Sequence, residues 1–430
     1  MQALRSIKGT KDITPQESPS WRYIETAIHS LASQYNYREI RTPIFEETAL
    51  FARGVGEYTD IVTKEMYTFR DKGGTDLTLK PELTAPVVRS YIQHHYDQQY
   101  PVNKLYYLTP LFRQERPQAG RQRQFHQYGI EIIGSEYPEA DVETIAFAMN
   151  VYNNLGISNE LSENNEALVL RINSIGDSNC RPAYLEKLRS ALAPHKEDLC
   201  SSCQGRFDSN ILRLFDCKNP HDQELLSEHA PTITDNLCDD CHEHFSTVTR
   251  QLDVLGIPYK VDPTLVRGLD YYTRTTFEIT SDLLGAQDAL CGGGRYDPLV
   301  EQLGGQATPA VGFAAGIERL LIVLEEQDLF PDFTDTLDLF IVIIGDDARP
   351  RAYKLLQNLR NEDIRCDMDM LRRSVKAQFR EANRQNAQYT AVIGENELEA
   401  EEVTLKNMAT GDEKSLPFSD IKQFLLNKIE

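Results

Sequence analysis

Across 430 residues, 66 Asp or Glu outnumber 45 Lys or Arg, leaving a formal charge of −21. Hydrophobic residues make up 40% and charged ones 26%, globular proportions that exclude a wholly disordered or collagen-like chain, and the length suggests two or three domains. No run approaches the ~18 apolar residues of a bilayer span, and MQALRSIKGTKD has no apolar export segment, so a cytoplasmic protein without a membrane partner is expected.

In chain order, Trp21, Ile24, Ile28 and Leu31 recur at helical spacing after Pro19. REIRTPIFEE reads as a strand, and Pro43 within it assigns that strand to an edge or interface. EMYTFRD, TDLTLKPE, LYYLTPLFRQE and RQFHQYGIEIIG follow as closely spaced strands, the pattern of an antiparallel sheet. From Asn173 to Leu255 the chain turns polar, helical and cysteine-bearing, as an inserted subdomain would. Strands resume at VRGLDYYTRTTFEITS; GGGRYDPLVEQLGG reads as a glycine-rich turn before a short helix, and AVGFAAGIERLLIVLEEQ as a strand or turn entering an apolar helix. After a linker over 326–336, LDLFIVIIG, ARPRAYKLLQNLRN, IRCDMDM, SVKAQFREANRQN and YTAVIG alternate as β-α-β-α-β, a separate α/β domain over 337–430.

Phosphate recognition needs bases, and an acidic chain disfavours it on average. Locally the balance reverses. Asn103–Gln127 carries Lys104, Arg113, Arg116, Arg121 and Arg123 against Glu115 alone, and Arg349–Arg384 holds ten bases against five acids. Such patches steer a polyanion to chosen faces, although a solvated helix face accounts equally well for the second.

In LFRQERPQAGRQRQFHQYGIEIIG, two strands and a loop carry Arg113, Glu115, Arg121 and Phe125: bidentate donors for phosphate and a ring for a base, or else structural Arg–Glu pairs. Glu82 and Thr84 in TLKPELTAPVVR fall on one side at strand period, as do Gln127 and Glu131 in QYGIE; carboxylates with such partners suit an ammonium ligand or simply a surface strand. LVRGLDYYTRTTFE adds Arg267, Asp270 and the Tyr271–Tyr272 pair, flat walls with polar tips that serve pockets and cores alike. GGGRYD fits neither a P-loop nor G-x-G-x-x-G, which leaves close backbone packing. Glu318 and Arg319 open an apolar helix. Cys200-x-x-Cys203 and Cys238-x-x-Cys241 resemble the halves of one tetrahedral structural Zn²⁺ site, with Cys217, His242 and His244 as spare ligands; reduced, packed thiols are the alternative.

Taken together, KGTKDITP, RTPIFEE, TLKPELTAPVVR, FRQERPQAGRQRQFHQYGIEIIG, VRGLDYYTRTTFE, GGGRYDPLVEQLGG and GFAAGIERL resemble the class II aminoacyl-tRNA synthetases, and among them the histidyl-tRNA synthetase family, from about Ile7 to the C-terminus. The resemblance implies an α+β fold: a six-stranded antiparallel catalytic sheet flanked by helices over 1–325, interrupted by the helical insertion at 173–255, then an anticodon-binding α/β domain. It implies a homodimer built through RTPIFEE, and the substrates L-histidine, ATP with Mg²⁺, and tRNA(His). By the same likeness Arg113 and Arg267 are catalytic, and Arg113, Glu115, Arg121, Phe125 and Arg319 bind ATP. Glu82, Thr84, Gln127, Glu131, Tyr271, Tyr272 and Tyr296 bind histidine, while Arg116, Gln118 and Arg123 face the tRNA acceptor end. Lys80 and Leu83 depart from the family's usual Arg and Gly, and the cysteine pairs are not general to it. The competing expectation is the catalytically inert paralogue, the regulatory subunit of ATP phosphoribosyltransferase, which generally lacks the anticodon-binding domain.

Overall fold

The computed structural model describes residues 4–56, 59–118, 120–157, 160–162, 165–166, 168–285 and 289–429. The chain divides into two compact units, Met1–Phe330 and Pro331–Glu430.

The first unit is organised by a sheet whose strands run, side by side, Arg38–Glu39, Asn103–Phe112, Gln124–Ile133, Ala310–Gly316, Ala289–Arg295, Thr273–Thr280, Val169–Ser174 and Lys260–Val261. The six inner strands pair antiparallel, as expected. A two-residue parallel strand extends each edge, bringing the total to eight. Those edge pieces are too short to leave any alternation in the sequence.

Helices cover the sheet. Ser18–Gln34 buries Ile24, Ile28 and Leu31, the residues its spacing selects. Pro138–Asn154 buries residues all around its circumference, from Val142 and Ile145 to Met149 and Tyr152, and so carries little amphipathic signal. A small sheet of Phe45–Glu47, Tyr67–Arg70 and Asp76–Leu79 stands apart. REIRTPIFEE is therefore two short strands, Arg38–Glu39 and Phe45–Glu47, in different sheets, with Pro43 in the break between them where its missing N–H costs nothing.

GGGRYD is not a turn: its glycines lie in the strand Ala289–Arg295. A Cβ on Gly293 would stand 2.3 Å from the Gly312 carbonyl oxygen, so the strands cross too closely for any side chain. The insertion is helical, through Arg181–Leu192, Ser201–Ser209, Pro220–His229 and Asp239–Leu255, although Asn173 and Ser174 still belong to the sheet. Its Leu188, Leu192 and Phe207 share a core with Tyr271, Tyr272 and Tyr296.

The second unit is a sheet in the order Cys366–Met368, Leu339–Ile343, Tyr389–Ile393, Glu402–Asn407, Glu413–Pro417. Its first three strands are parallel, with Arg349–Arg360 and Val375–Arg384 as crossover helices, matching the β-α-β-α-β reading. The last two are an antiparallel addition that the reading did not contain.

One polar knot sits in the core of the first unit. Arg295, fully buried, donates from Nε to Asp141 Oδ2 (2.8 Å), from Nη1 to Asp297 (2.9 Å) and from Nη2 to the carbonyls of Ser135 (2.9 Å) and Tyr137 (3.0 Å). Burial pushes the Asp141 carboxyl up, but Arg295 and His244 hold it below its ordinary value. Arg295→Met strands that buried charge, and is expected to lower unfolding free energy by about 3–5 kcal/mol in urea titration; a change under about 1 kcal/mol would show the knot to be neutral.

Candidate active site

A cavity of about 260 Å³ opens on the first unit, walled by five separate stretches: Glu82–Thr84, Arg113–Gln127, Arg267–Tyr272, Ala289–Gly292 and Ala314–Arg319. The guanidinium groups of Arg113, Arg121, Arg267 and Arg319 meet there. Each is tethered. Arg113 Nε donates to the Pro81 carbonyl (2.9 Å), and its guanidinium lies 5.4 Å from the centre of the Phe125 ring. Arg121 Nη1 is 2.9 Å from the Glu115 carboxylate. Arg319, in the first turn of the helix Ile317–Glu326, donates from Nε to the Gly120 carbonyl (3.2 Å) and from Nη1 to that of Ala289. Arg267 is ion-paired with Glu278, while its buried Nε has no hydrogen-bond partner among the described residues. Burial works against the charge on Arg267, but Glu278 overrides it and keeps the group firmly cationic. Arg319 shows the opposite balance: burial, then the like charges of Arg121 and Arg113, depress its proton affinity.

The other end of the cavity is acidic and aromatic. Glu82 accepts the backbone N–H groups of Thr84 (2.9 Å) and Ala85 (3.0 Å), and so caps the helix Thr84–Gln93 from within the cavity wall. It lies beyond the strand Asp76–Leu79, so helix capping, rather than strand alternation, sets Glu82 beside Thr84. Thr84 Oγ1 donates to Glu131 Oε1 (2.9 Å), as does Tyr107 Oη (3.3 Å), while Tyr296 Oη reaches Glu131 Oε2. Glu131 and Tyr296 thus stand one layer behind the wall, with Thr84 between Glu131 and the cavity. Tyr271 packs 4.7 Å from Tyr272 and 5.7 Å from Tyr296, centre to centre. Burial pushes the carboxyls up, Glu82 to about 7 against its helix-end N–H groups, and Glu131 to about 8 against its three hydroxyls.

The residues selected from the sequence as ATP-side and histidine-side groups are therefore brought together, Glu131 and Tyr296 in the second layer. Arg116, Gln118 and Arg123 do not line the cavity; Arg116 and Gln118 are exposed, and Ala119 beside them lies outside the described residues. Arg123 is half-buried, its Nε on the Glu115 carbonyl (3.2 Å) and its backbone N–H on that of Gly9 (2.7 Å). The four cysteines read as one zinc site do not converge: Cys200 and Cys203 cluster with Cys217 and Asp222, whereas Cys238 and Cys241 cluster with Asp177 and Cys180. Each C-x-x-C opens its own helix; Cys200 and Cys203 meet Cys217 and Asp222 close by in the chain, whereas Cys238 and Cys241 meet Asp177 and Cys180 from the far end of the insertion.

Sequence reading missed Glu278, the counter-charge of Arg267, though TRTTFE contains it; only the folding back of the loop before the strand Thr273–Thr280 brings the two together. Glu318 likewise gained no role. It holds the end of the strand Gln124–Ile133 through the His126 backbone N–H (2.9 Å) and Nδ1 (2.9 Å). Gly292 is a steric requirement, since a Cβ there would lie 2.0 Å from Arg267 Nη2.

An antiparallel sheet bearing arginines from three distant segments around one cavity, beside a carboxylate-lined pocket, defines a class II aminoacyl-tRNA synthetase. Residues 9–320 match the family model for histidyl-tRNA synthetase, and residues 338–428 that for an anticodon binding domain. The chain is 47% identical over 423 residues to the histidine–tRNA ligase of Caldanaerobacter subterraneus subsp. tengcongensis (98% of this chain, 99% of that one), and 47% identical over 426 residues to that of Clostridioides difficile (99% of each). The crystal structure of apo Staphylococcus aureus histidyl-tRNA synthetase superposes with a TM-score of 0.82 at 42% identity, covering 98% of this chain and 100% of that one. The chain belongs to the histidyl-tRNA synthetase family.

The buried carboxyls carry a pH signature. With its folded value raised from 4.5 to about 8, Glu131 binds more protons folded than unfolded between those limits. Its contribution to stability therefore falls as pH rises through that window. In thermal melts without ligand, Glu131→Gln is expected to gain on the wild type from about pH 5 to about pH 8. Curves that stay parallel would show that Glu131 is not desolvated.

Proposed function

We propose that this chain joins L-histidine to tRNA(His) in two steps, first forming histidyl-adenylate from histidine and ATP with release of pyrophosphate, then transferring the histidyl group to the terminal ribose of the tRNA. The observation that carries the reading is the convergence of Arg113, Arg121, Arg267 and Arg319 on one cavity. Like charges gathered so closely make a site for a polyanion.

In the first step the histidine carboxylate attacks the α-phosphorus in line. Two anions approach one another, so the protein's task is positioning and cationic stabilisation of the spreading charge. Arg113 and Arg267 flank the α-phosphate. Arg121 and Arg319 take the β- and γ-phosphates together with the Mg²⁺ that enters with the nucleotide. Arg267 suits its role because Glu278 fixes one edge of the guanidinium, while Nε has no acceptor among the described residues. Phe125 offers its face to the adenine, and Glu115 steadies Arg121.

On the amino-acid side, Glu82 takes the α-ammonium; a cation there also restores the ionised form that burial disfavours. Gln127 and the Thr84–Glu131 hydrogen bond face the imidazole, with Tyr271 and Tyr272 in the pocket wall. A pocket built to hydrogen-bond its substrate rejects analogues that lack the matching nitrogen far better than an apolar one does.

For the tRNA, the exposed Arg116 and Gln118, with Arg123, meet the acceptor end. The Arg349–Arg384 surface meets the anticodon. Several of its arginines pair locally, Arg373 with the buried carboxylates of Asp369 and Glu381, Arg384 with Glu381, and Arg349 with the exposed Asp346. A homodimer through Arg41–Glu47, the RTPIFEE likeness, completes the reading.

Histidine-dependent exchange of pyrophosphate into ATP and charging of tRNA(His) test it; a purified chain showing neither would favour the regulatory-subunit paralogue. Arg267→Ala is expected to lower the exchange rate by about 10²–10³-fold while ATP affinity stays within a few-fold. Wild-type turnover in that variant would remove Arg267 from the chemistry.

A further inference from the structure

The insertion carries two four-residue clusters that the synthetase chemistry does not use. One is Asp177, Cys180, Cys238 and Cys241; the other is Cys200, Cys203, Cys217 and Asp222. In each, four potential ligand atoms lie within 4.8 Å of one another. Their closer edges are 3.7 Å from Cys180 Sγ to Asp177 Oδ1 and 3.9 Å from Cys238 Sγ to the same oxygen. In the second cluster they are 3.9 Å from Cys200 Sγ to Cys217 Sγ and 3.2 Å from Cys217 Sγ to Asp222 Oδ2. Every one of these cysteines is a free thiol. A tetrahedral zinc ion, with Zn–S near 2.3 Å and Zn–O near 2.0 Å, sets neighbouring ligand atoms about 3.5–3.8 Å apart. We propose that each cluster binds one Zn²⁺ through three thiolates and one carboxylate, so that the chain carries two structural zinc sites.

Three features of the local fold support this. Cys200 and Cys238 each immediately precede a helix whose first turn carries Cys203 or Cys241, so one helix start holds two thiols of each cluster together. The Asn219 backbone N–H donates to Cys217 Sγ at 3.4 Å, as donors to ligating sulfurs do. Each carboxylate is also oriented from outside: Asp222, fully buried, by the Cys200 N–H (3.1 Å), and Asp177 by the Asn179 N–H (2.9 Å) and Arg274 (3.5 Å). Thiolates with a single oxygen donor in tetrahedral array select zinc over the harder Mg²⁺ or Ca²⁺.

The sites have separate duties. The first joins Asp177 and Cys180, where the insertion leaves the sheet, to Cys238 and Cys241 near its end, and so clasps its base. Next to it, the Gly176 carbonyl accepts the Arg274 N–H (2.8 Å) and Thr273 Oγ1 (3.1 Å), and Arg181 donates to the Tyr272 carbonyl (2.8 Å). The clasp thus braces the backbone of a cavity tyrosine. The second ties the start of Ser201–Ser209 to Pro220–His229, inside the insertion.

Full-length protein prepared without chelator is expected to hold two equivalents of zinc by elemental analysis. Cys203→Ser and Cys238→Ser should each leave one, and the double variant none. Stripped protein titrated with Co²⁺ alone should develop the absorption of tetrahedral cobalt–thiolate in two stoichiometric phases, and regain its thermal stability when zinc is returned. The wild-type cobalt titration decides the matter even where a serine variant fails to fold. Stripped protein that keeps its native circular dichroism yet shows no thiolate absorption would overturn the proposal, as would oxidation of the clusters to disulfides in place of metal uptake. Loss of both metals from either single variant would overturn the assignment of two independent sites.

Discussion

Four guanidinium groups share one cavity, and in the absence of an anion their charges repel. The fold resists that repulsion by tethering each group to an acceptor of its own: Pro81 for Arg113, Glu115 for Arg121, Gly120 and Ala289 for Arg319, Glu278 for Arg267. Because these tethers form as the protein folds, the cationic field exists before substrate arrives, and none of its donors must reorganise during phosphoryl chemistry. Burial and the neighbouring Arg121 and Arg113 together lower the proton affinity of Arg319. Much of the rest of the first unit acts as support. The helix Ile317–Glu326 sets Arg319 at its first turn, and Glu318 beside it fixes the strand that carries Phe125 and Gln127.

The same logic, with signs reversed, governs the opposite end. Two carboxyls lie buried, and each is held by donors that cannot leave: Glu82 by helix-end N–H groups, Glu131 by hydroxyls from Thr84, Tyr107 and Tyr296. Space for them comes from glycine. A Cβ on Gly312, register partner of Glu131, would fall 1.8 Å from Glu131 Oε2, and one on Gly129 would fall 2.5 Å from Tyr107 Oη. The glycine content of these central strands is the steric counterpart of a polar layer inside the sheet.

Much of this was legible in the sequence where residues close together in the chain act together. The helix Ser18–Gln34, the α/β alternation of the second unit and the arginine-bearing Asn103–Gln127 hairpin all declare themselves through short-range periodicity or charge. What escaped depends on how separate segments are set against one another. Glu278 meets Arg267 where the loop before the strand Thr273–Thr280 folds back on it, and the glycines of Ala289–Arg295 look like a turn until the neighbouring strand is placed 2.3 Å from an imagined Cβ. The Pro138–Asn154 helix escaped because burial on every side erases the amphipathic stripe. Two C-x-x-C pairs in one polar segment suggest one site, since sequence shows spacing but not which third thiol each helix end will meet.

The insertion illustrates how far such long-range pairing reaches. Read along the chain it interrupts the catalytic sheet as a separable piece, but its side chains reach back to the cavity wall. Asn210 Nδ2 donates to Asp270 Oδ1 (3.0 Å), and Arg213 lies 3.1 Å from Asp60. Asp270 immediately precedes Tyr271, and leaves no room for a side chain on Gly56, where a Cβ would stand 2.5 Å from its Oδ2. The loop that carries the paired tyrosines is therefore gripped on one side by the insertion and on the other by the Thr48–Val55 helix end, through the Asp270 N–H on the Val55 carbonyl (3.3 Å). A segment so held cannot shift without disturbing the insertion. The contacts make the insertion a support of the cavity wall, and they explain why Leu188, Leu192 and Phe207 share a core with those tyrosines instead of forming one of their own.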